Sequence, residues 1–379
     1  MKLTELRSKI DAVDEAMLGL FLERMGYSEK VAECKRKESL PLLNRERERE
    51  ILAKATARSG EMEKYTYHFF ETLMGLSRAR QIELAAAPGR IGAQVKAALA
   101  GGEEELFPQT GTVACQGLEG SYSQAACDRL LPRGQIVYLK TVEAVFDAVE
   151  SGLCRFGVLP IENSTYGSVR ANYDLLQRKN AAIVRSTRLY IRHELLAGPG
   201  TKLEDLTEIH SHEQALGQCS RYLASLPGVQ LIPCANTALA AKKVAESKNP
   251  RAAAISSPSC AALYGLEVLA ADILDSDNNY TRFICIAKEP VIYAGANKIS
   301  LVVACDNRPG ALYEILSRFS ALGLNMSKLE SCPVTGRNFE FIFFIELDAS
   351  VKEPGILPML EDLERSYENF VFLGNYAEV

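Results

Sequence analysis

Residues 278–287 read NNYTRFICIA: two asparagines and a tyrosine, then Thr281 and Arg282, then an apolar run from Phe283 to Ala287. A run of that length and composition predicts a buried strand, so a hydroxyl and a guanidinium stand at its entrance. Upstream, strand-like runs (112–115, 135–139, 157–160, 182–186) alternate with helical ones (123–131, 141–151, 172–177). That alternation predicts an α/β domain with a largely parallel sheet. A second alternating set over about 188–271 predicts two lobes, and a cleft between such lobes binds ligands.

The two ends of the chain read differently. Residues 1–87 are rich in Leu, Glu, Arg, Lys and Ala, contain one proline (Pro41), and repeat with a helical period, which predicts an all-helical region. Leu3, Leu6, Ile10, Val13, Met17 and Leu20 recur at three- and four-residue steps, the seam of a long helix that pairs with another. A turn over 39–42 leads to a second helix from Asn44, its N-cap, to about Arg58, and a third runs from about Met62 to Leu84. Residues 85–110 are small, Gly-rich and partly acidic, the composition of a linker with room for a short helix. From 299 to 379 the order is strand, helix, strand, strand, helix, strand, a ferredoxin-like βαββαβ sandwich with a Pro-Gly turn before its first helix. The expected domains are therefore 1–87, 112–288 and 299–379, with 88–111 as linker.

At 379 residues and 47% hydrophobic composition, the chain is long enough for two or three cores. A net charge of -5 with both signs interspersed gives no extended positive field, which argues against nucleic acid and for small-molecule ligands. The opening MKLTELRSKID has no signal-peptide core, and apolar runs such as 339–347 are too short to cross a bilayer. A cytoplasmic protein without membrane contact is expected. Ten cysteines scattered without a CxxC pair suit reduced, mostly buried thiols. His210 and His212 flank Ser211, but no cysteine or acidic cluster completes a ligand set. Neither metal nor cofactor is expected.

One cation of the helical region sits where an apolar residue belongs by period. Continuing the seam brings Arg24, and Lys35 follows eleven residues later, within about 20° on the same helix face. Arg7 lies about 25 Å along the helix from Arg24, too far for one small substrate to touch both on a straight helix. If Arg7 also serves the site, a partner chain supplies it. Ser77 and Gln81, four apart, project from one face of the third helix. Taken singly, each of these is an ordinary solvated or capping residue.

Together, LRSKIDAVDEAMLGLFLERM, Lys35, NRERERE and SRARQ resemble an all-helical chorismate mutase over essentially the whole segment. The resemblance places Arg7, Arg24, Lys35, Asn44, Arg47, Glu48, Ser77 and Gln81 at that family's active-site positions, with Asn44 where aspartate is common. It implies conversion of chorismate to prephenate and helices exchanged between two subunits.

In the middle segment GLEGSYSQAA (117–126), PIENSTYGSV (160–169) and HSHEQALGQC (210–219) are polar stretches after strands. Alone they read as turns and N-caps, with Ser123 capping one helix and Ser211 another. With Thr281-Arg282-Phe283 they resemble prephenate dehydratase over roughly 112–288. The resemblance implies loss of the ring hydroxyl and CO₂ from prephenate, with Thr281 as a hydrogen-bond donor to the leaving group. Ser121, Ser123, Glu162, Asn163, Ser164, Gly167, Ser168, His212, Gln214 and Arg282 are then candidate substrate contacts. The proton source is left among Glu162, His212 and solvent. No GxSxG elbow supports a covalent hydrolase.

DNRPGALYEIL and KLESCPV resemble a phenylalanine-binding ACT domain. The implied effector residues are Pro309, Gly310, Ala311 and Leu312 at the turn, and Glu330 and Ser331 in the second motif, where Cys332 replaces the usual arginine. Feedback inhibition by phenylalanine, and a homodimer or larger homo-oligomer, follow as expectations. A different class stays open at this point: a chorismate mutase fused to a non-catalytic small-molecule sensor.

Overall fold

The computed structural model describes residues 2–38, 40, 44–84, 89–99, 105–179, 181–333 and 341–379. The chain divides into two compact units, residues 1–97 with 299–372, and residues 98–298 with 373–379. The first unit opens with helices α1 (Leu3–Lys37), α2 (Arg45–Thr56), α3 (Glu63–Glu83) and α4 (Arg90–Ala98). Helix α4 is the short helix that the linker stretch had room for. Most of the turn expected over 39–42 lies outside the described residues.

Asn44 caps α2 by accepting from the Arg47 backbone NH at 3.0 Å. Ser28 and Ala32 of α1 and Met74, Ser77 and Gln81 of α3 are buried, and Arg80 on α3 pairs with Glu29 on α1 at 2.7 Å. The α1 seam is different: Leu3, Leu6, Ile10, Val13, Met17 and Leu20 are all exposed in the single chain.

The second unit contains β1 (Thr110–Gln116), α5 (Tyr122–Leu130), β2 (Arg133–Leu139), α6 (Val142–Glu150), β3 (Phe156–Asn163), β4 (Gly167–Ser168), α7 (Arg170–Arg178) and β5 (Ala182–Tyr190). It continues with β6 (Glu194–Ala197), β7 (Glu208–Ser211), α8 (Glu213–Gln218), α9 (Ser220–Ala224), β8 (Gln230–Pro233), α10 (Thr237–Ser247), β9 (Ala252–Ser256), α11 (Ser259–Tyr264), β10 (Glu267–Ala270) and β11 (Tyr280–Ala287). These strands form two sheets, β5-β11-β3-β1-β2 with β4 beside β3, and β10-β6-β9-β7-β8.

NNYTRFICIA brings the chain home. After building the second sheet, it inserts β11 between β3 and β5 of the first, antiparallel to both. The sheet is therefore mixed rather than largely parallel, because its central strand returns from the other lobe. Phe283 and Cys285 pack with Val113, Cys115 and Val158 in the first core, while Leu195, Ile209 and Ile255 centre the second. Where the two connections cross, Ile191 donates its NH to Asn279 at 2.8 Å and Ile273 donates to His193 at 3.1 Å.

The remaining elements are β12 (Lys298–Cys305), α12 (Ala311–Ala321), β13 (Asn325–Pro333), β14 (Phe341–Asp348), α13 (Ile356–Ser366) and β15 (Phe370–Glu378). The strand order β13-β14-β12-β15 is that of a split βαβ sandwich. Residues 334–340 lie outside the described set.

Candidate active sites

In the helical region, Arg24 Nη1 donates to Ser77 Oγ and, at 3.3 Å, to the Leu73 carbonyl. Ser77 in turn donates to the same carbonyl at 2.9 Å. Burial lowers the Arg24 pKa. Burial also lowers that of Lys35, with the nearby Glu48 carboxylate pulling the other way. Gln81 is buried with its Oε1 unpaired. Arg24, Lys35, Glu48, Ser77 and Gln81 thus come from three helices, two cations and a carboxylate among neutral donors and acceptors.

Other expected members stand apart. Arg7 is exposed, and Arg47 reaches outward to Glu50 at 2.8 Å with 63% of its side chain exposed. Asn44 serves the backbone of α2 through its cap. Arg78, by contrast, pairs with Glu48 and was not singled out from the sequence. Its place next to Ser77 says that it lies about 100° around the helix, but not that α2 packs there. Glu48 and Arg78 also line a cavity of about 640 Å³ in this unit, whose other wall includes Arg308, Glu314, Arg318 and Tyr367.

In the α/β unit, register decides which residues share a face. Thr281 lies opposite Asn163, and Arg282 opposite Glu162. Successive strand residues point to opposite sides, so Thr281 with Asn163 faces one way and Arg282 with Glu162 the other. Glu162 is thereby removed from the proton donors that could stand beside Thr281, and Ser168, paired with Glu162, goes with it.

Asn163 is fully used. Its Nδ2 donates to Thr281 Oγ1 and to Asn279 Oδ1, each at 2.9 Å, and its Oδ1 accepts from the NH groups of Thr165 and Tyr166 at 3.0 and 3.1 Å. Asn279, 1% exposed, also accepts from Gln218 Nε2 at 3.4 Å, and Gln218 Oε1 lies 3.0 Å from His193 Nε2. That last contact needs the Nε2–H tautomer of His193, since the amide oxygen can only accept. Burial pushes the His193 pKa down to about 4, so the ring is neutral near pH 7. The chain Thr281–Asn163–Asn279–Gln218–His193 runs through the crossover between the lobes.

The other polar loop residues are committed to structure. Ser164 Oγ donates to the Asn278 carbonyl at 2.7 Å and accepts from the Tyr280 NH at 2.9 Å. Gly167 has φ +78, which a glycine accepts without strain. Tyr166 OH donates to the Gln214 carbonyl at 3.3 Å. Two capping assignments change: Ser121, not Ser123, caps α5, and His212, not Ser211, caps α8 through Nδ1, leaving Ser211 buried and donating to the Ile255 carbonyl at 2.7 Å. In each case the strand or turn runs one or two residues differently from the expected boundary.

Arg282 is buried against the end of the chain. It is 5% exposed, and its Nε lies 2.5 Å from Glu378 Oε2. In the terminal sandwich, Gly310 takes φ +84 at the start of α12, with Pro309 exposed and Ala311 buried. Leu312 is half-buried, Glu330 and Ser331 lie on β13, and Cys332 is buried. Among the described residues, no group of three or more His, Cys, Asp and Glu side chains is placed to hold a metal, and no helix is long and apolar enough to cross a membrane.

A helical site of cations and neutral donors, joined in one chain to a two-lobed α/β domain with a positioned hydroxyl, defines a two-module enzyme for small anionic substrates. Residues 6–82 match the type II chorismate mutase family and 113–291 the prephenate dehydratase family. A bifunctional chorismate mutase/prephenate dehydratase of Stutzerimonas stutzeri is 32% identical over all of this chain and 98% of its own. An arogenate dehydratase/prephenate dehydratase of Arabidopsis thaliana is 37% identical over 70% of this chain and 72% of its own. The solved prephenate dehydratase of Arthrobacter aurescens, in complex with L-Phe, is 31% identical with a TM-score of 0.65, covering 70% of this chain and 90% of that one.

The chain belongs to the bifunctional chorismate mutase/prephenate dehydratase family. It converts chorismate to prephenate and prephenate to phenylpyruvate, two consecutive steps of phenylalanine biosynthesis. The sensor alternative for the middle segment falls with the dehydratase match.

Proposed function

We propose that Arg24, Lys35, Glu48, Ser77 and Gln81 form the mutase site, completed by Arg7 of a second copy. The rearrangement is intramolecular and needs no acid, base or covalent intermediate, only a compact conformer and relief of developing charge. Arginine forks suit the two carboxylates. Lys35 and the Gln81 amide donate to the ether oxygen as its bond breaks, while Glu48 holds the ring hydroxyl. Arg47 turns inward only when ligand replaces Glu50 as its partner. The exposed seam from Leu3 to Leu20 supports pairing with a second α1, which would bury it and carry Arg7 across.

In the dehydratase, Thr281 donates to the departing ring hydroxyl. The observation that carries this role is the Asn163 Nδ2–H bond to Thr281 Oγ1: with that lone pair occupied, the hydroxyl hydrogen remains for the substrate. One proton is consumed as the hydroxyl leaves as water and the carboxyl leaves as CO₂, and aromatisation drives the step. Thr281 is too weak an acid to be the proton's ultimate source. Solvent supplies it, with His212 as the remaining side-chain candidate. Ser121, Ser123, Gln214 and the loop 163–167 shape the cleft around the ring.

The terminal sandwich acts as an ACT domain that binds phenylalanine at Pro309–Leu312 and Glu330–Ser331 and inhibits the dehydratase in a cytoplasmic homo-oligomer. The split βαβ topology and the left-handed Gly310 before α12 support it, since a turn of that kind frees backbone NH groups for a carboxylate. Feeding chorismate to the purified chain, with and without phenylalanine, tests the whole reading. Phenylpyruvate should form without added cofactor, and millimolar phenylalanine should arrest it at prephenate. Unchanged phenylpyruvate flux with phenylalanine, together with a flat calorimetric titration, would remove the ACT assignment and leave the two activities standing.

A further inference from the structure

Residues 373–379 follow the terminal sandwich in sequence but belong to the α/β unit. There Ala377 and Glu378 pair in parallel with Arg185 and Ser186 of β5. Val379 donates its NH to the Ser186 carbonyl at 2.9 Å, and its own carbonyl accepts from Thr187 Oγ1 at 2.7 Å. The approach is so close at Gly374 (φ +149) that a Cβ there would lie 2.1 Å from the Ile183 carbonyl oxygen. Only glycine lets the tail lie down on this edge.

The tail carries one carboxylate to a specific place. Arg188 and Arg282 stand directly opposite each other on β5 and β11, a like-charged pair that is unfavourable by itself. Glu378 bridges them, with Oε2 2.5 Å from Arg282 Nε and Oε1 3.0 Å from Arg188 Nη2. Arg282 Nη2 also donates to Tyr376 OH at 3.3 Å. Between Arg282 and Phe283 the β11–β3 register shifts by a bulge. The extra residue, Ile161, belongs to β3, so the β3 ladder is interrupted just past Arg282, while β5 pairs with Thr281, Arg282 and Phe283 in unbroken register. Asn163 holds Thr281 on one face of the sheet, and the Arg282–Glu378 pair anchors the next residue on the other.

We propose that Glu378 is a positioning residue of the dehydratase: through Arg282 it fixes the entrance of β11 beside the interrupted β3 ladder, and so the aim of the Thr281 hydroxyl, without touching substrate. The inference rests on Thr281 being the hydroxyl that serves the reaction.

Steady-state kinetics of the full chain carrying E378Q, E378D or T281A test it. Because misplacing a reacting group by about 1 Å can cost up to 10²-fold, E378Q is expected to lower dehydratase kcat by about tenfold or more. Its KM for prephenate should stay within about twofold and its chorismate mutase kcat should be unchanged, whereas E378D, which keeps the charge, should recover much of the loss. Dehydratase kcat within about twofold of the parent in E378Q would overturn the proposal. So would a raised KM at unchanged kcat, or a loss shared equally by E378D and by the mutase, which is the mark of a purely structural tail. T281A separates the two ideas: retained turnover there removes the Thr281 reading, whereas an inactive T281A beside an intact E378Q removes only the role of Glu378.

Discussion

In the helical region Arg24 reaches across to Ser77 on another helix while Leu3, Ile10 and Met17 of the same α1 lie open to solvent. In the α/β unit Thr281 is held by Asn163, whose polar atoms are all occupied, and behind it Asn279, Gln218 and His193 are buried and bonded in series. On the assignment proposed above, the first site closes around a dianion and a second copy of α1. The second is organised within one chain before any substrate arrives. The chemistry explains the difference: a rearrangement needs a clamp that closes on its ligand, whereas a leaving hydroxyl needs one donor already aimed.

The largest test of this contrast is reciprocal. Arg24→Ala should lower mutase kcat/KM by about 10²-fold or more, and Thr281→Ala should lower dehydratase kcat by a similar factor, each leaving the other activity intact in the same chain. If either variant depresses both rates, the two sites are not independent and the comparison breaks.

A smaller effect should separate the units by pH. The folded pKa of His193, about 4, lies below its unfolded value. Between those values the unfolded chain binds the extra proton, so stability falls as pH drops from about 6.5 to about 4, by up to about 1.4 kcal/mol per pH unit. Thermal unfolding followed by probes in each unit should show the α/β unit losing stability in that window, and His193→Gln should flatten its response. An equal pH response in the variant would show that carboxylates, not His193, set it.

The smallest effect belongs to the helical region. Removing the cap with Asn44→Ala should cost about 1 kcal/mol in thermal unfolding while leaving mutase kcat within about twofold. A large loss of kcat would return Asn44 to the substrate.

Much of this was legible because it is local. The period of Leu3, Leu6 and Ile10, the four-residue spacing of Ser77 and Gln81, and the apolar run behind Thr281 each state which face a residue occupies. Nothing in the local pattern marks Arg78, because its meaning depends on which helix lies beside it. Its neighbours do not decide whether Arg282 serves a substrate or the fold, because the carboxylate that holds it, Glu378, is far away in sequence. Ser123 and Ser211 yielded their caps to Ser121 and His212 because caps follow element ends, which shift by a residue or two.

The sequence by itself determined the helical region, the alternating α/β segment and the βαββαβ order, since these rest on periodicity; both chemistries were legible in it only through the resemblance of its motifs to known families. Only the tertiary structure decided that β11 returns antiparallel into the first sheet, that Asn163 occupies a lone pair of Thr281, and that the last residues of the chain bind Arg282. Such contacts join groups separated by many tens of residues. Their partners are chosen by register and burial, which no local pattern specifies.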